Sequence, residues 1–152
     1  MNIKYYIEKS YPFVLSIIPT ILIYYYNLFG TNFCQFIMDL SGNAMSVSVT
    51  LFGFLLTILT LINSIDTRRM KIIRDLGAFP RLLGYLKVSI ILNLTVLVFS
   101  FLVKYAVHND LNSIFVYKNN NLLYYLFLFI FIYSILASFR FTKLFIDSLT
   151  DN

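Results

Sequence analysis

Four long apolar runs dominate the chain, at residues 11–29, 44–63, 88–103 and 122–139, and none of them contains a charged residue. A helix needs roughly 20 mostly apolar residues to cross a bilayer. Backbone in hydrocarbon must also satisfy its own hydrogen bonds, which helices do within one segment. The runs therefore predict an all-α membrane protein with four transmembrane helices in a single domain, residues 1–152. The period-two alternation of a membrane β-barrel is absent.

Between the runs the charges are unequal. Residues 31–43 carry only Asp39, and residues 108–121 carry Asp110 and Lys118. Residues 65–87 carry Arg68, Arg69, Lys71, Arg74, Arg81 and Lys87. Lys4 and Lys9 precede the first run, and Arg140 and Lys143 follow the fourth. Of the 12 Lys and Arg, all but Lys104 and Lys118 thus fall on one side of a four-span topology. The positive-inside rule assigns that side, with both termini, to the cytoplasm. Tyr24, Tyr25 and Tyr26 suit an interfacial aromatic belt, and no small-residue cleavage site marks a signal peptide.

Nothing in residues 63–76 breaks a helix. Gly77 is a natural residue to end one, and Pro80 suits the first turn of the next. The second and third spans are expected to continue as a long hairpin protruding into the cytoplasm. Met70, Ile73 and Leu76 would pack on Leu82, Leu83 and Leu86. The basic residues Arg68, Arg69, Lys71, Arg74 and Arg81 set topology and contact anionic head groups, or dock a cytosolic partner. Direct nucleic-acid binding is not expected.

Within the second span, Ser46, Thr50, Gly53, Thr57, Thr60 and Ser64 recur at alternating spacings of four and three, a heptad-like seam. Small residues at this spacing let helices approach closely. Two readings stay open: helix packing, within the unit or between subunits, and the lining of a water-filled path. Four helices alone pack solid, so conduction requires a homo-oligomer. Ser89, Asn93 and Ser100 share a face of the third span, and Ser134 and Ser138 share one on the fourth. Asn93 is the most polar residue inside a span and needs a partner, expected from Ser or Thr of the second span.

Composition agrees with this reading. Hydrophobic residues make up 59% and charged residues 12%, against about 45–50% and about 25% in soluble domains. Chemistry is sparse. Cys34 and His108 are the only cysteine and histidine, so neither a disulfide nor a metal cluster is expected within the chain. No acidic residue falls inside an expected span, which argues against proton relays. No nucleotide loop or nucleophile–base pair is present. The sequence predicts no enzyme and no cofactor.

Thr67-Arg68-Arg69, then Ile73-Arg74-Asp75, then Gly77, resemble the RexB family of four-span phage-exclusion membrane proteins. Lys71 and Ile72 depart from the family pattern. The close match covers about a dozen residues, and the topological match covers nearly the whole chain. The four-span KwaA proteins of Kiwa defence are similar in layout. The resemblance implies an ion channel of the bacterial inner membrane, opened by a cytosolic RexA-like sensor so that depolarisation halts host and infection. The alternative is a non-conducting anchor or sensor whose basic hairpin docks a cytosolic partner.

Overall fold

The computed structural model describes residues 3–26, 33–64, 78–108 and 122–150. It is all-helical, with four helices: α1 (Ile3–Tyr25), α2 (Phe33–Ser64), α3 (Ala78–His108) and α4 (Leu122–Thr150). Three are long and apolar enough to cross a membrane, through Gln35–Ile62, Phe79–Val107 and Leu123–Ser148. The apolar part of α1, Ser10–Tyr25, is shorter; at 1.5 Å per residue it reaches about 24 Å, against about 30 Å of hydrocarbon.

The helices outrun the apolar stretches that predict them. Residues 31–43 were expected to connect two spans, yet α2 already starts at Phe33. Asp39 consequently lies inside Gln35–Ile62, which corrects the expectation that no acidic residue falls within a span. Likewise α3 passes Lys104 to end at His108, and α4 passes Arg140 and Lys143 to end at Thr150. Hydropathy reports where hydrocarbon would end, whereas helix ends depend on backbone hydrogen bonding, and Lys or Arg continue a helix well. Pro80 does sit in the first turn of α3. The rest of the expected hairpin, including Arg68, Arg69, Met70, Lys71, Ile73, Arg74, Leu76 and Gly77, lies outside the described residues.

α2 packs along α3, α3 along α4, and α4 carries α1 on its other side; α2 and α4 touch only slightly. Two apolar clusters hold α2, α3 and α4 together. At one end Leu55, Ile58 and Ile62 of α2 meet Leu82, Tyr85 and Leu86 of α3 and Phe141 of α4. At the other, Ile37 and Ala44 meet Val96, Val103 and Val107, with Tyr124 and Phe127 of α4. These pairings make successive helices antiparallel. α1 joins through aromatic edges: Phe13 stands T-shaped on Phe129 and Tyr133, at 5.4 and 5.8 Å, and Tyr24 does the same on Tyr125 at 5.2 Å. Such pairs contribute about 0.5–1.5 kcal/mol each beyond area burial. The start of α1, the end of α2, the start of α3 and the end of α4 therefore share one end of the molecule.

Pro12 and Pro19 lie inside α1. Each removes a helical N–H, a defect that neighbouring hydroxyls and helices repair in membranes. Ser16 Oγ donates to Phe13 O at 2.7 Å and Thr20 Oγ1 to Ser16 O at 2.9 Å, bonds that satisfy these hydroxyls within α1 but do not reach the carbonyls four residues before either proline.

Candidate functional site

α2 carries two seams of the same period on opposite faces. Ala44, Ser48, Leu51, Leu55, Ile58 and Ile62 form the inner one; all are buried except Leu51, which is half-buried. Adding two to each number gives Ser46, Thr50, Gly53, Thr57, Thr60 and Ser64, and every one of these is exposed. Two residues along a helix is a turn of about 200°. The hydroxyl stripe thus points away from the other described helices.

The stripe is chemically quiet. Thr50 Oγ1 donates to Ser46 O at 2.9 Å, Thr57 Oγ1 to Gly53 O at 2.9 Å and Thr60 Oγ1 to Thr57 O at 2.7 Å. Ser46 and Ser64 bond longer, at 3.2 Å, to Gly42 O and Leu61 O. Each hydroxyl is satisfied by its own helix, so the face tolerates an apolar environment while keeping an oxygen available as acceptor. A Cβ built on Gly53 meets nothing within 4 Å, so the subunit itself does not require glycine there.

Asn93 does not join this stripe. It is wholly buried on α3, between the two apolar clusters, and its Nδ2 donates to Ser89 O and to Ser138 Oγ, both at 2.8 Å. Its partner is therefore on the fourth helix, not on the second as expected. Asn93 can reach the fourth helix because α3 packs against both α2 and α4. Ser138 Oγ in turn donates a hydrogen bond to Ser134 O at 2.8 Å. Among the described residues, the buried oxygens of Ser48, Ser89 and Ser100 and Oδ1 of Asn93 have no hydrogen-bond partner. The polar centre of the subunit is only partly satisfied.

Of the expected basic site, Arg81 is described. It is exposed at the start of α3, with Nε donating to Tyr85 Oη at 3.4 Å and its guanidinium 5.8 Å from the Tyr85 ring centroid. Arg140 shares that ring from the other helix, only 3% exposed and 4.1 Å from the centroid. A desolvated cation–π contact of this kind stabilises by about 2 kcal/mol. Sequence reasoning treated Arg140 as the closing charge of a span. The signal that singles it out is spacing: Phe141, its neighbour, continues the apolar face of α4 one turn past Ala137.

The fold and these faces define an all-helical protein with three helices long and apolar enough to cross a membrane and an exposed polar seam on α2. Comparison with family models, with curated proteins and with solved structures returns no match.

Proposed function

We propose that the chain is a four-span membrane subunit that assembles through the outer seam of α2 into an ion-conducting pore. The observation that carries this reading is the pair of opposed seams: α2 repeats its packing period on a face the subunit leaves bare. A heptad-spaced face of Gly, Ser and Thr suits close approach of a second helix. A ring of such faces leaves hydroxyl and carbonyl oxygens around a central path. Large apolar side chains such as Ile91, Phe101 and Phe139 are exposed elsewhere, as a lipid-facing surface requires.

In this reading α1 is the first of four spans, short for the bilayer and anchored by Tyr24, Tyr25 and Tyr26 at the interface. The start of α1, the end of α2, the start of α3 and the end of α4 share one end of the described helices, which supports a topology with both termini and the α2–α3 connection on one side. The positive-inside rule makes that end cytoplasmic, in a bacterial inner membrane. The resemblance of residues 67–77 to the RexB family supports the role: an antiphage effector that depolarises the membrane when a cytosolic sensor engages Arg68, Arg69, Lys71, Arg74 and Arg81.

The back-bonded hydroxyls favour a second reading, because a stripe already satisfied by its own helix can face lipid. The chain would then be a non-conducting anchor for a cytosolic partner. Ion flux through the purified protein in liposomes, alone and with its partner, separates the two. Flux that disappears in Gly53→Leu supports the pore; normal flux and oligomer size in that variant overturn it.

A further inference from the structure

At the end opposite the basic residues, an open groove of about 550 Å³ runs between α2 and α3, lined by Met38, Asp39, Gly42, Asn43 and Lys104. It adjoins a second, apolar trough of about 290 Å³, lined by Met38, Phe101, Lys104 and Tyr105. Met38 and Lys104 belong to both. The two together form one amphipathic channel on the outside of the subunit. A carboxylate and an ammonium stand at its polar end, and aromatic side chains line its apolar end.

Depth selects the occupant. Asp39 is six residues into α2 and Lys104 four residues from the end of α3, about 9 and 6 Å along the axes. The head-group layer on each side of the hydrocarbon is about 5–8 Å deep. With the helix ends at the membrane surface, Lys104 falls at head-group depth and Asp39 at its inner boundary, just inside the apolar stretch that starts at Gln35, with Phe101 and Tyr105 exposed beside them. A charge at this depth is tolerated when it pairs or snorkels to the interface. A purely aqueous mouth needs no aromatic trough beside it, whereas an amphiphile needs both parts.

We propose that this channel binds an aminophospholipid, phosphatidylethanolamine in kind. Lys104 Nζ takes the phosphate, the Asp39 carboxylate takes the primary ammonium, Asn43 adds a polar contact, and an acyl chain lies along Met38, Phe101 and Tyr105. The carboxylate distinguishes lipids. A primary ammonium donates hydrogen bonds to it, a choline trimethylammonium donates none, and a glycerol head group leaves it facing a net anion. This inference rests on membrane insertion alone and not on the pore.

The test is native mass spectrometry of the full-length protein taken from vesicles of equal parts phosphatidylethanolamine, phosphatidylglycerol and phosphatidylcholine, counting retained lipids. Wild type is expected to retain phosphatidylethanolamine severalfold over the other two. Asp39→Asn removes that preference, Lys104→Met lowers retention of every phospholipid, and Lys104→Arg retains the wild-type pattern. The exchange Asp39→Lys with Lys104→Asp keeps both charges in the channel and recovers part of the preference, which separates recognition from misfolding. Equal retention of the three lipids by wild type, a preference for phosphatidylglycerol, or an Asp39→Asn pattern unchanged from wild type would each overturn the proposal.

Discussion

The two faces of α2 share a period and differ in almost everything else. The inner face is Ala, Leu and Ile with Ser48, and it is buried against α3. The outer face is Ser, Thr and Gly, and it is exposed. In water such a contrast would mark core against solvent. In lipid it does not, because hydrocarbon solvates the apolar face as well as a neighbouring helix would. What separates the faces is shape and closeness of approach. Bulky side chains interlock with α3 and α4, whereas small ones leave room for a backbone to come near.

The largest effect expected from breaking this contrast is at Gly53. Gly53→Leu fills the outer seam where the subunit has open space, so helix content and thermal stability stay at wild-type levels while liposome flux falls at least tenfold. Circular dichroism and flux on the same preparation check both halves. Leu55→Ala strikes the inner face two residues on. It empties a fully buried site and lowers stability by about 2 kcal/mol, the low end for a buried leucine, read by denaturation in detergent.

A smaller loss is expected at the buried polar centre. Asn93→Leu removes the bond to Ser138 and with it about 1 kcal/mol, the usual scale for polar contacts between membrane helices. It also removes an Oδ1 with no partner among the described residues, which holds the loss down. The smallest effect is at Thr57. Its hydroxyl bonds only to its own helix, so Thr57→Val changes stability by no more than about 0.5 kcal/mol. Oligomer size retained in Thr57→Val and lost in Gly53→Leu would identify shape, rather than hydroxyl bonding, as what the outer face supplies.

Sequence periodicity exposed the outer seam in full, because Ser, Thr and Gly stand out against Leu and Phe. The inner seam was hidden by the same contrast, since one apolar residue among many carries no label. Its continuation through Ile37, Ser41 and Ala44 is what makes residues 33–43 helical, although Gln35, Asp39 and Asn43 gave that stretch the look of a connection. Arg140 was misjudged for a related reason. Charge marks a span end only when the side chain meets water, and here the Tyr85 ring takes its place. The partner of Asn93 depended on which helix is central, which no single-helix pattern reveals.

The account stands on the claim that the outer face of α2 meets a second copy of itself. Disulfide cross-linking in native membranes tests it most directly, with Cys34→Ser as the background and single cysteines at Thr57→Cys, Ile58→Cys and Val98→Cys. The prediction is a covalent dimer from Thr57→Cys and none from the buried Ile58→Cys or the exposed α3 site Val98→Cys. Cross-linking at Val98→Cys with none at Thr57→Cys would contradict the account and leave the hydroxyl stripe facing lipid.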